Sequence, residues 1–129
     1  MGVIKGICIS EKRGTAKHEI EEAVFVKDWG IEKDAHAGHW HRQVSLLAAE
    51  SVAKVQKALN FQLKSGDFAE NILTEGIELF TLPVGTKMQI GEAEGEVTQI
   101  GKECHHGCAI RELAGDCVMP REGIFVRIT

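Results

Sequence analysis

The chain has no cluster of lysine and arginine, no long hydrophobic run, and no internal repeat or low-complexity tract. Its 15 basic residues are outnumbered by 19 acidic ones, for a net charge of −4, and no stretch is dominated by positive charge. That removes the electrostatic footprint needed to hold DNA or RNA. A small anionic ligand stays open, because a local pocket can be positive on an acidic chain. The longest uncharged apolar-rich run, around Val44–Ala49, falls far short of the ~20 residues that span a bilayer. Lys5 interrupts the apolar start, no small-residue cleavage pattern follows, and Gly6 stands where a myristoylation signal needs a hydroxyl. The expectation is a cytoplasmic protein with neither a membrane nor a nucleic-acid partner.

What is present is ordinary globular usage, with 43% hydrophobic and 26% charged residues, which excludes intrinsic disorder as the main state. A length of 129 residues fits a single domain over residues 1–129, with enough core to fold without disulfides. β-Branched residues predict a strand over Val3–Ile9, and alternation predicts another over Glu22–Lys27, with Val24 and Val26 on one face and Phe25 on the other. Asp28–His41 reads as a long polar, histidine-rich loop, a kind that is often functional in compact domains. Spacings of three and four at Val52, Val55 and Leu59 predict a helix over Ala48–Leu59. Beyond it lie short pieces at Ala69–Leu73, Ile77–Phe80, Lys87–Ile90 and Gly95–Gln99, separated by glycine turns. His105–Leu113 reads as a short helix and Gly123–Thr129 as a closing strand. The fold class expected is mostly β with a few helices, as a barrel or sandwich.

Four cysteines occur, at Cys8, Cys104, Cys108 and Cys117. In a reducing compartment they are more plausibly reactive, ligating or buried than paired. Lys102, His105 and His106 flank Cys104, and nearby positive charge favours the thiolate, the form that attacks sulfur or binds a metal. The bland alternative is that Cys104 and Cys108 are two small hydrophobes on one helix face. His36, His39 and His41 invite a zinc site completed by Cys104 or Cys108, although no zinc-finger spacing is present. Otherwise they belong to a solvated loop. Gly66–Asn71 can be a plain capped turn. Arg111, Arg121 and Arg127 can grip an oxyanion or simply lie on the surface.

In order along the chain, Val3–Ser10, Gly30–Gly38, Arg42–Leu47, Gly66–Ile72, Leu82–Thr86, Val97–Cys104 and Gly115–Phe125 resemble the segments of the MOSC domain, the C-terminal module of molybdenum-cofactor sulfurases. The resemblance implies a single closed β-barrel of the pyruvate-kinase barrel type. It also implies binding of the molybdenum cofactor (molybdopterin), or sulfur carriage during cofactor maturation or delivery. The family's characteristic cysteine falls at Cys104, five residues after Gln99, as a thiolate ligand to molybdenum or a persulfide carrier. Asp34, His36, Arg42, Glu70 and Asn71 map onto the family's polar motifs. Arg42 would suit the cofactor's phosphate, and Asn71 would meet the pterin edge or brace its loop. Ile100 and Gly101 replace the proline and arginine that larger members carry there, leaving Lys102 or Arg121 as substitutes for anion binding. With no desulfurase domain in view, the implied partners are a sulfur-donor desulfurase or cofactor-biosynthesis proteins. A reductase role, as in members acting on N-hydroxylated compounds, lacks a visible electron-transfer cluster.

Overall fold

The computed structural model describes residues 2–10, 17–35, 37–57, 70–101 and 123–129. Nine strands are formed by these residues: β1 (Val3–Ile9), β2 (His18–Ile20), β3 (Phe25–Val26), β4 (Gly30–Ile31), β5 (Val44–Ala48), β6 (Ile72–Glu75), β7 (Lys87–Ile90), β8 (Ala93–Ile100) and β9 (Ile124–Ile128). One helix, α1 (Ala49–Gln56), and a single 3-10 turn at Leu79–Thr81 accompany them. Seven strands form one sheet in the order β2-β1-β6-β5-β9-β8-β7, and β3 pairs with β4 in a separate ribbon.

Strand β5 sits in the middle of the large sheet, and all five of its residues are buried. A strand covered on both faces reads as a continuous apolar run rather than an alternation. It pairs in parallel with β6 and antiparallel with β9. Parallel neighbours need a crossover connection, and α1 lies within it. Glu50, in the first turn of α1, accepts a hydrogen bond from the Gly76 amide at 2.8 Å, tying the helix to the end of β6. β7 and β8 form a hairpin closed at Ile90 and Ala93. Gly91 opens its two-residue turn at φ +60°, the position where a glycine-first hairpin turn requires positive φ.

The core lies on the concave face of this sheet. Ile9, Val44, Leu46, Ala48, Ile72 and Val126 meet there with residues of β7–β9, and Phe25 packs against the cluster from the ribbon. The expected alternation around Phe25 holds, with Val24 and Val26 exposed, but only Phe25–Val26 is strand. The polar loop is interrupted by β4, where Gly30 at φ +122° passes so near β5 that a Cβ would stand 2.9 Å from the Gln43 carbonyl.

The sheet is an open half-barrel among the described residues. Its edge strands are β2 and β7, and no ladder joins them there, so the closed barrel expected from the family resemblance is seen only as far as a mostly-β, strongly curved sheet. The segment Ile77–Phe80, expected as a short extended piece, instead overlaps the 3-10 turn. The helix expected at His105–Leu113 lies outside the described residues.

Candidate functional site

The convex face of the same sheet carries a row of side chains that runs across five strands. Ile7 and Leu46 both register with Ile72. Side chains alternate between faces along a strand, so the neighbours Cys8, Asn71 and Ser45 point away from the core. Ser45 registers with Phe125, and Phe125 with Gln99. Cys8, Asn71, Ser45, Phe125 and Gln99 therefore form one transverse line, buried at every member but the half-buried Gln99.

Asn71 is the hub of this line. Its Oδ1 accepts from the Ser45 amide at 2.9 Å and the Ser45 hydroxyl at 3.2 Å, and its Nδ2 donates to the Cys8 carbonyl at 3.0 Å and to Asp34 Oδ2 at 3.1 Å. Those bonds tie β1, β5, β6 and the polar loop together. The amide's donors and acceptor are all engaged inside the protein, so the role the structure displays for Asn71 is the brace.

Asp34 closes one end of the row. Lys17 Nζ lies 2.8 Å from its Oδ1, with the two side chains only 1% and 0% exposed. The same oxygen accepts from the Ser10 amide at 3.0 Å, and Lys17 also donates to the Ser10 hydroxyl at 3.3 Å. Burial pushes the Asp34 carboxyl up, but the hydrogen bonds from Lys17, Ser10 and Asn71 and the Lys17 charge outweigh it and hold the carboxyl below its ordinary 3.8. Lys33, just before it, takes φ +73°, an uncommon conformation for a side chain of this size. It belongs to the tight turn that brings Asp34 inward, where the Asp34 amide meets the Ile31 carbonyl at 3.1 Å.

Arg42 closes the other end. Its guanidinium lies over the Phe125 ring, 5.4 Å from the centroid, a cation–π arrangement. Its Nε donates to Gln99 Oε1 at 3.1 Å, which is also 3.0 Å from His41 Nε2. Gln99 in turn donates to the Gly101 carbonyl at 2.7 Å. A register irregularity between Val97 and Gln99 sets both Thr98 and Gln99 against Phe125; bulges of this kind re-aim side chains beside functional sites. Thr98 uses its hydroxyl to bond the His41 and Phe125 carbonyls. The loop is thus clamped to the bulge twice. Immediately beyond, the Gly101 amide bonds the Gly123 carbonyl at 2.6 Å. The described residues stop at Gly101 and resume at Gly123, and Cys104 is three residues past Gly101 in sequence.

Of the residues singled out in the sequence, Asp34 and Asn71 are hydrogen-bonded to each other at one end of the convex-face row, Arg42 lies at the other end, and Glu70 is buried immediately before Asn71 in the chain. His36, Lys102, Cys104, Cys108 and Arg121 lie outside the described residues. No group of three His, Cys, Asp or Glu side chains that could hold a metal occurs among the described residues. His39 and His41 instead meet Trp29 and Trp40 edge-on, at 5.3 and 5.9 Å between centroids. His41 also lines a polar cleft of about 390 Å³ with Thr98 and Arg127. Sequence reasoning missed Lys17, Ser45 and Phe125. A serine inside the apolar run Val44–Ala48 was the available signal for a buried hydroxyl; nothing local marked Lys17.

Residues 33–116, more than half of the chain, match the MOSC domain. The chain belongs to the MOSC domain family. That domain is associated with molybdenum-cofactor binding or sulfur transfer. The fold of this MOSC chain is similar to that of the YuaD protein from Bacillus subtilis, with TM-score 0.79, 14% identity, and coverage of 99% of this chain and 88% of that one. It is also similar to YiiM from Geobacillus stearothermophilus (TM-score 0.72, 15% identity, 99% and 68% coverage). YiiM from Escherichia coli superposes at TM-score 0.67, with 16% identity and coverage of 99% and 62%. At such identities the likeness speaks to fold alone. No curated protein sequence matches the chain significantly. No helix among the described residues is long and apolar enough to cross a membrane.

Proposed function

We propose that this MOSC chain binds the molybdenum cofactor or carries sulfur for it, during cofactor maturation or delivery, with Cys104 as the thiolate. The observation that carries the reading is the convex-face row ending at Arg42, Gln99 and Gly101. It fixes a guanidinium beside the point from which the Cys104-bearing segment departs. Among the described residues Arg42 makes no hydrogen bond besides that of Nε to Gln99, which leaves its terminal nitrogens for an outside anion. A guanidinium's terminal nitrogens can give two parallel bonds to a phosphate. The donor set therefore fits a cofactor that ends in phosphate.

In this reading Arg42, with Lys102 and Arg121, would hold the phosphate, and Cys104 would meet the metal. When bound, the cofactor supplies molybdenum–sulfur redox chemistry. Asp34 and Asn71 act through the brace that sets the loop carrying His36 and Arg42, and Glu70 lies next to that brace. As a sulfur carrier, the Cys104 thiolate attacks the outer sulfur of a donor persulfide. The new S–S bond forms at Cys104 as the old one breaks, and the donor leaves as its own thiolate. A cytoplasmic desulfurase, or another cofactor-biosynthesis protein, is the donor this requires.

Anaerobic gel filtration with freshly released cofactor tests the reading, with molybdenum and pterin both quantified in the protein peak. Co-elution near one per chain, weakened in Arg42→Ala and lost in Cys104→Ser, is expected. Co-elution unchanged in both variants overturns the site. For carriage, incubation with a persulfidated donor should add one sulfur to the intact mass of wild type and none to Cys104→Ser.

A further inference from the structure

The open side of the half-barrel is a second, separate feature. Between β7 and the first half of β1, the concave face holds a cavity of about 320 Å³. Leu46, Ile72, Leu79 and Ile90 form its floor, and Ile4 and Met88 its rim. The floor residues are almost fully buried, whereas Val3 and Ile4 are 58% and 43% exposed. β2 pairs only with Ile7–Ile9, so among the described residues Val3–Lys5 has one unpaired edge on the side of the cavity mouth. Thr74 also lines this space. It shares the inward face of β6 with Ile72 and is 6% exposed. Among the described residues its Oγ1 is the one buried side-chain polar atom without a hydrogen-bond partner.

We infer that this barrel mouth is a binding site for a small, mostly apolar molecule carrying one hydrogen-bonding group, which Thr74 would receive. Three observations converge. The volume lies in the range of ligand cavities, and barrel mouths are a usual place for them. The lining is mostly aliphatic, with Thr74 and Gln89 its polar side chains, so its walls favour an apolar guest over water; an enclosed apolar cavity about half this size takes up a benzene-sized guest. Finally, a buried hydroxyl without a partner is an unmet bond, and one χ1 step carries that hydroxyl to the place its methyl now holds, the methyl moving to the place of the Cβ hydrogen. A strand added from another molecule would lie along the β1 or β7 edge, in the surface of the sheet. It would leave Thr74 beneath it unmatched, which is why the occupant is taken to be a small molecule. The site is on the opposite face of the sheet from Arg42 and stands independently of the function proposed above.

The test uses 2-naphthol and naphthalene as probes, followed by methyl NMR of the full chain. Binding of 2-naphthol should move the methyl signals of Ile4, Ile72 and Met88. In Thr74→Val, which keeps the shape, the preference for 2-naphthol over naphthalene should fall about fivefold, the value of one ordinary hydrogen bond. Ile4→Trp, at a position exposed enough to accept it, should block both probes. The inference is overturned if neither probe shifts these methyls, if shifts appear only around Trp29 and Trp40, or if the preference is the same in Thr74→Val. It is equally overturned if the chain is a dimer whose dissociation on dilution alone shifts the Ile4 methyl.

Discussion

The two faces of the central sheet are both buried, but they are stabilised by opposite means. Ile72 looks into an aliphatic core where contact is non-directional and any side chain of the right volume fits. Its neighbour Asn71 looks outward into a network where each donor has a named acceptor, from Cys8 and Ser45 to Asp34. One residue of sequence separates the two regimes. The apolar face supplies most of the driving force for folding, while the polar face converts strand register into a fixed arrangement of loop, bulge and Arg42. A core that tolerates repacking and a site that does not can thus share one set of strands.

Breaking the ion pair should separate the faces most sharply. Lys17→Met leaves the Asp34 carboxylate buried without its cation, and a cost of about 3–5 kcal/mol is expected, read from urea unfolding. Adding Asp34→Leu should recover part of that loss, since an apolar pair replaces an ion pair more cheaply than half of one. A Lys17→Met variant as stable as wild type would show that this end of the row rests on something else. The next contrast compares two substitutions of similar volume on opposite faces. Leu46→Met should cost less than about 1.5 kcal/mol. Asn71→Leu takes a bond from the Ser45 amide, the Cys8 carbonyl and Asp34 Oδ2, at roughly 1–3 kcal/mol for each buried atom that finds no other partner. Equal costs for the two would erase the distinction.

Legibility from sequence followed the same division. β1 and β7 were readable to the residue, and β8, β9 and α1 nearly so, because β-branched content, bounding turn residues and helical spacing mark them. β5 was not, since burial on both faces removes the alternation that marks a strand. The polar row was legible only through the family resemblance, which marked Asp34, Arg42, Glu70, Asn71 and Gln99 without saying which touch. Lys17 could not be anticipated from its neighbours: its pairing with Asp34 joins residues 17 apart through the tertiary fold alone. The bulge at Thr98, which brings Gln99 to Arg42, arises from sheet register and leaves no mark in composition.

Of the two faces of the sheet, the convex one is where acid should act, through Asp34. Because Asp34 is held below 3.8 in the folded chain, its contribution is complete above that value. It is lost as pH falls through the lower folded value, where the unfolded chain takes up the proton first. Urea midpoints measured downward from pH 5 should therefore drop more steeply for wild type than for Asp34→Asn, which starts lower but lacks this titration. Parallel curves would mean that other carboxylates govern acid unfolding.

The smallest effect has the opposite sign and probes where the contrast fails. Thr74 is a polar side chain on the apolar face, and its buried hydroxyl has no partner among the described residues. On the convex face, removing a polar group breaks bonds. Here there is no bond to break, so Thr74→Val deletes only the cost of keeping a hydroxyl dry and should raise stability by up to about 1 kcal/mol. The change keeps the side-chain shape, so packing should not offset it. Thermal and urea unfolding of the ligand-free chain read the result directly. A loss of stability would mean that the hydroxyl is satisfied in solution, and that the concave face holds a polar contact of its own.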